Sequence, residues 1–74
     1  MSGAVPGLVK RSVSLAGHRT SIALEAEFWS GLATLAASRG QSLAALLEEI
    51  DAQRPAGRPL ASALRVALLE SLRR

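Results

Sequence analysis

The chain has 74 residues, with nine lysines and arginines against six aspartates and glutamates, and it contains no cysteine. A chain of this length forms one domain at most and usually needs a disulfide, a metal or a partner subunit for stability. The lack of cysteine and the single histidine exclude the first two, so we expect a homodimer whose shared core uses the 49% of hydrophobic residues. No apolar run approaches the roughly 20 residues of a membrane span or has the pattern of a signal peptide. We therefore expect a cytoplasmic protein with no membrane partner.

The first segment, residues 1–8, is small, glycine-bearing and without periodicity, which predicts a flexible tail. Residues 9–74 then form a single domain. Within them, apolar and polar residues alternate from Val9 to Leu15, a pattern that could form an extra strand ending at the breaker Ala16-Gly17.

A strand is predicted at about residues 18–24, where polar and semi-apolar residues alternate. A lone short strand leaves its backbone donors and acceptors without partners, and an antiparallel strand from a second chain would supply them. One face of the strand would then lie on the helices, and the other face would project outward. The inner residues are Thr20, Ile22 and Leu24, and the outer residues are Arg19, Ser21 and Ala23.

Three helices are predicted, at about residues 25–38, 42–53 and 59–72. Gly40 ends the first helix, Ser42 caps the second, and Pro59 is placed as the first residue of the third. Their apolar positions recur at helical spacing, which predicts buried stripes. The residues expected in the dimer interface or the core are Ile22, Leu24, Phe28, Trp29, Leu32, Leu35, Leu46, Leu47 and Ile50.

The third helix has a wide apolar arc that something must cover. A membrane surface is the weaker explanation, because the helix has too few basic residues to form a cationic face. Burial against the dimer or against another protein fits better. The residues of this possible partner face are Leu60, Leu64, Leu68 and Leu72.

Between Arg19 and Ile50 the order and spacing of these elements resemble the ribbon-helix-helix superfamily, the Arc and MetJ type of bacterial repressor. The resemblance is carried by Ile22-Ala23-Leu24 in the strand, by Gly40 followed by Ser42, and by the pair Leu46-Leu47. A compact bacterial subfamily with an added C-terminal helix is more closely similar, through Gly17-His18-Arg19-Thr20-Ser21, Glu27-Phe28-Trp29, Glu49-Ile50-Asp51 and Ser62-Ala63-Leu64-Arg65. The resemblance implies an α-rich α+β fold: an intertwined homodimer with a two-stranded antiparallel ribbon formed between the chains, plus a third helix.

A two-stranded ribbon is narrow enough to enter the major groove of DNA. Carried onto this sequence, the base-reading positions of the superfamily fall on Arg19, Ser21 and Ala23. Its phosphate clamp, at the amino end of the second helix, falls on Ser42 and Leu43.

The basic residues before the first helix add candidate phosphate contacts, namely Lys10, Arg11 and His18. Glu48, Glu49 and Asp51 cluster late in the second helix, which predicts a polarised molecule. Arg19 has an alternative role as a solvated arginine, and Lys10 with Arg11 as a solubilising pair. His18 has neither a cysteine nor a second histidine to complete a metal site, so no metal is expected.

The sequence therefore favours a small dimeric transcriptional regulator that binds double-stranded DNA sequence-specifically. An enzyme is not expected, because no nucleophile, base and orienting group are recognisable, and no nucleotide-binding loop or cofactor motif occurs. The alternative is a protein-interaction or antitoxin-like adaptor that uses the C-terminal helix without contacting DNA.

Overall fold

A computed structural model describes residues 7–73 of the chain. Two strands are followed by three helices: β1 (Leu8–Leu15), β2 (His18–Glu25), α1 (Ala26–Ser38), α2 (Leu43–Gln53) and α3 (Leu60–Leu72). The predicted tail lies outside the described residues up to position 6, and its last residue, Leu8, already belongs to β1. The alternating segment that could form an extra strand does form one.

The two strands pair with each other as an antiparallel hairpin. Ala16 and Gly17 connect them, with φ angles of 52° and 83°. Two consecutive positive φ angles are typical of a turn whose twist matches that of the flanking strands, and glycine adopts such an angle without steric cost. A two-stranded antiparallel hairpin is therefore present, and both of its strands come from one chain. A ribbon formed between two chains, and the homodimer itself, stay predictions.

Each helix begins one residue later than predicted, because the residue taken as its start is its N-cap. Ser42 caps α2, and its Oγ accepts a hydrogen bond of 3.0 Å from the Ala45 amide. Pro59 likewise occupies the N-cap of α3 and not its first position.

Gly40 follows α1 with a φ of 67°. The amide of Gly40 donates to the Ala37 carbonyl at 3.1 Å, and the Gln41 amide donates to the Ala36 carbonyl at 2.9 Å. These two bonds are those of a Schellman motif, which satisfies carbonyls that the helix end leaves free. The motif ends α1 and turns the chain directly into α2.

One core lies between the hairpin and the helices. Gly31 allows α1 and α3 to approach closely, since a Cβ at this position would lie 2.6 Å from the Leu68 Cδ2 atom. The predicted core residues Phe28, Leu35 and Ile50 are only partly buried at its edge. The buried members of the cluster are Leu15, Ile22, Leu24, Trp29, Leu32, Ala36, Leu46, Leu47, Leu64 and Leu68.

Among residues 7–73, no helix has the length and apolar character needed to cross a bilayer.

Candidate nucleic-acid interface

The outer face of the hairpin carries polar side chains from both strands. In the register, Ser14 lies opposite Arg19, Ser12 opposite Ser21, and Lys10 opposite Ala23. Directly opposed residues share a face of the sheet, and successive residues alternate between faces. Five of these six residues are exposed, and Ala23 is partly exposed. The three predicted base-reading residues thus lie together on this face, and β1 adds Lys10, Ser12 and Ser14 to it.

The inner face of the hairpin packs on the helices. Ile22 and Leu24 are buried on it as predicted, and Leu15 joins them from β1. Trp29, which is 2% exposed, donates a hydrogen bond of 2.8 Å from its Nε1 atom to the carbonyl of Val9. This bond ties β1 to the first turn of α1 and fixes the hairpin against the helices.

Arg11 lies opposite Ile22 and therefore shares the inner face. Its guanidinium carbon lies 4.9 Å from the centroid of the Trp29 ring, within the range of a cation–π contact. The side chain is exposed, but it does not share a face with Lys10 and Arg19. The structure therefore separates Arg11 from the other basic residues of the hairpin.

Glu25 ends β2, and Arg65 of α3 neutralises its charge. The Arg65 Nη2 and Nε atoms donate to Glu25 Oε1 at 2.9 and 3.1 Å, and the guanidinium also lies over the Phe28 ring, 5.6 Å from its centroid. A hydrogen bond from the Glu25 backbone and the hydrogen bonds and charge of Arg65 hold the pKa of the Glu25 carboxyl below its ordinary value. The end of the ribbon thus carries a compensated carboxylate, while Lys10 and Arg19 provide positive charge on the outer face.

The tip of the hairpin lies beside acidic residues. Ala16 lines a shallow groove together with Glu48, Asp51 and Ala52 of α2. Packing of α2 against β1 brings these acids to the turn of the hairpin, and the predicted separation of charge stays a prediction. His18 is exposed at the start of β2. Within residues 7–73 no three His, Cys, Asp or Glu side chains form a group that could hold a metal ion.

The amino end of α2, where the resemblance places a phosphate clamp, begins at Ser42. Its first-turn amides, starting with that of Leu43, have no intrahelical acceptor, and the helix dipole is positive at this end. The preceding turn is braced by Glu49, which accepts hydrogen bonds from Gln41 Nε2 at 2.8 Å and from Arg39 Nη1 at 3.5 Å. Ser42 is exposed and Leu43 partly buried.

The predicted partner face of α3 is divided between core and surface. Leu64 is fully buried and Leu68 nearly so, while Leu60 is partly buried and Leu72 is 75% exposed. Leu69, which widens the apolar arc of the helix, is 54% exposed. Leu69 and Leu72 line an apolar groove of about 290 Å³ together with Phe28, Arg65, Val66 and Leu68.

Comparison with known proteins yields one family. A family model described as a ribbon-helix-helix domain matches residues 8–72. Neither a search of curated proteins nor a search of solved structures gives a match. The matched range includes β1 and α3, so the hairpin and the third helix both belong to the family pattern.

Proposed function

Because the chain belongs to the ribbon-helix-helix domain family, whose members generally bind DNA as transcription regulators, we propose that it binds double-stranded DNA sequence-specifically as a small transcriptional regulator. The observation that carries this proposal is the outer face of the hairpin. Five of the six residues described on that face are polar and exposed, two of them are cationic, and the face is only one ribbon wide. A two-stranded ribbon of this kind fits the major groove.

Base reading is assigned first to β2. Arg19 has a planar fork that can donate two parallel hydrogen bonds to guanine O6 and N7. Ser21 can donate to or accept from a base edge, and Ala23 can contact a thymine methyl group.

Phosphate contacts are assigned to the flanks of the ribbon and to α2. Lys10 lies on the outer face, and the amides at the Ser42–Leu43 end of α2 suit an anion because they point out of a positive helix end. The Ser42 Oγ accepts from the Ala45 amide, which leaves its hydroxyl proton to donate to a phosphate. His18 and Arg11 are weaker candidates, since His18 lies opposite Leu15 and so shares the inner face, and Arg11 lies over Trp29.

Ribbon-helix-helix proteins typically bind DNA as dimers, and we propose the same for this chain. Dimerisation would double the number of side chains that contact the DNA. A regulator of this kind acts where the chromosome is, so we propose a cytoplasmic location.

The decisive experiment is a random-oligonucleotide selection on the purified protein, followed by titration of the selected duplex and of a scrambled duplex at several salt concentrations. We expect a consensus sequence and an affinity that falls steeply with salt, because phosphate neutralisation releases counterions. Arg19→Ala should weaken the selected duplex by about 1–3 kcal/mol and the scrambled duplex much less.

The matched control is Arg58→Ala, which removes the same charge from an exposed position in the loop before α3. It should change both affinities equally and slightly. Equal losses on both duplexes for Arg19→Ala would make Arg19 a phosphate contact. If the wild type binds no duplex at low salt, the regulator proposal is wrong, and the adaptor that uses the exposed end of α3 becomes the better hypothesis.

A further inference from the structure

The last residue of β2 is an acid on the side of the strand that carries the proposed base readers. Side chains alternate along a strand, so Glu25 has the parity of Arg19, Ser21 and Ala23. It lies two residues beyond Ala23, a distance of about 7 Å along the strand. The Glu25 side chain is 40% exposed, so its charge acts at the surface. An unpaired carboxylate at this position would oppose DNA binding, because it would repel the phosphates of a bound duplex.

Arg65 of α3 pairs with this carboxylate. Its Nη2 and Nε atoms both donate to Glu25 Oε1, at 2.9 and 3.1 Å. The same guanidinium lies over the Phe28 ring, and its carbon atom is 5.6 Å from the ring centroid. The pKa of the Glu25 carboxyl is below its ordinary value, so this group is ionised at neutral pH. The two side chains together therefore carry no net charge.

The position of Arg65 is set by its place on α3. Leu64, the preceding residue, is fully buried, and Leu68 is nearly so. Because these two leucines fix the helix against the core, Arg65 is presented to the end of β2 from a packed element and not from a loop. The third helix thus contributes a fixed charge to the end of the strand.

We propose that Arg65 is a positioning residue for DNA binding, which pairs with Glu25 and so removes an uncompensated negative charge from the end of β2 that approaches the duplex. This inference rests on the proposed DNA binding and adds to it a role for α3. Arg65 acts through Glu25 and does not contact DNA itself. The argument uses only β2 and α3, so it holds whichever strand pairs with β2.

The test titrates the selected duplex and a scrambled duplex with three variants of the pair. Arg65→Gln keeps a hydrogen-bond donor for Glu25 but removes the positive charge, so we expect both duplexes to bind about three- to tenfold more weakly at low salt. Arg65→Lys keeps the charge and should stay within about twofold of the wild type. Arg65→Gln combined with Glu25→Gln removes both charges and should also bind within about twofold of the wild type.

Salt dependence and a matched control separate the charge effect from a structural one. The loss caused by Arg65→Gln should shrink above about 0.1 M salt, where the screening length is about 10 Å. Arg73→Gln makes the same change at the exposed C-cap of the same helix, and it should leave both affinities within about twofold of the wild type. Far-UV circular dichroism at the assay temperature checks that each variant is folded.

Two results would overturn the proposal. One is wild-type affinity of Arg65→Gln for both duplexes. The other is a double variant that binds as weakly as Arg65→Gln, because Arg65 would then contact the DNA itself. If Arg65→Gln does not fold, the double variant decides, since its two amides can still form a hydrogen bond: wild-type affinity supports the proposal, and a loss overturns it. Failure of the proposed function looks different, because the wild type itself would then bind neither duplex.

Discussion

Leu64 offers the sharpest test of whether α3 belongs to the core. Its side chain is fully buried in the cluster that also contains Leu24 and Leu32. Truncation of a buried leucine to alanine costs about 2–5 kcal/mol, from lost transfer free energy and the cavity left behind. A domain of 74 residues has a total stability of about 4–11 kcal/mol at 0.05–0.15 kcal/mol per residue. Leu64→Ala should therefore remove a large part of the stability.

The assay is urea and thermal unfolding without DNA, followed by far-UV circular dichroism. A loss of about 3 kcal/mol would lower the Tm by about 12–24 °C in a domain of this size. Leu72→Ala is the matched control, because it makes the same chemical change on the same helix at a side chain that is 75% exposed. It should stay within about 0.5 kcal/mol of the wild type. Equal, small effects of both changes would refute the burial of Leu64 and make it available to a partner.

Three further predictions concern single contacts. Ser42→Ala removes the cap of α2 and should lower the free energy of unfolding by about 1 kcal/mol. Ser42→Asn keeps a capping side chain and should retain most of this stabilisation. Urea titrations of both variants check this. Trp29→Phe removes the hydrogen bond to the Val9 carbonyl and weakens the contact with the Arg11 guanidinium, so we expect a loss of about 1–2 kcal/mol in unfolding followed by circular dichroism. The pKa of Glu25 is lowered in the folded chain, so its stabilising contribution is present above the ordinary value of 4.5 and is lost as the pH falls through the folded-state pKa. Urea midpoints measured from about pH 6 to about pH 3 should therefore fall less steeply for Glu25→Gln than for the wild type, and equal slopes would contradict the assignment.

The helices were predictable because their signals are local. Gly40 and Ser42 mark the end of one helix and the start of the next, and both act as the sequence indicated. The third helix follows the two prolines of the preceding loop, as expected. The burial of Ile22 and Leu24 also follows from alternation along one strand.

The partner of β2 could not be predicted with the same certainty, because pairing depends on contacts distant in sequence. Alternation from residue 9 to residue 15 made an extra strand possible, but Ala16-Gly17 is a weaker hairpin signal than Asn-Gly or Gly-Gly. The ion pair between Glu25 and Arg65 joins residues 40 positions apart and has no sequence signature.

The face on which Arg11 lies follows from the alternation in the sequence. It has the same parity as Val9, Val13 and Leu15, the apolar side of the alternation, so the pattern already placed it on the inner face. Ser12 and Ser14 have the opposite parity, that of Lys10. The alternation could therefore have separated Arg11 from the outer face and drawn attention to the two serines.

The hairpin also changes what a second copy contributes. A lone strand in so short a chain predicts a partner that completes the strand and the core, yet β1 pairs with β2 and one chain assembles a buried cluster. In the proposed assignment each chain offers a single bidentate reader, Arg19, worth about 1–3 kcal/mol of discrimination. Specific binding exceeds non-specific binding by about 4–10 kcal/mol. A second chain would double this contribution, and in the proposed dimer it would serve specificity more than folding. If two copies bind as a symmetric dimer, the selected DNA should contain two inverted half-sites, because the symmetry of the site mirrors that of the protein. A single contiguous site without internal symmetry would contradict this, and analytical ultracentrifugation of the complex should find two chains per duplex.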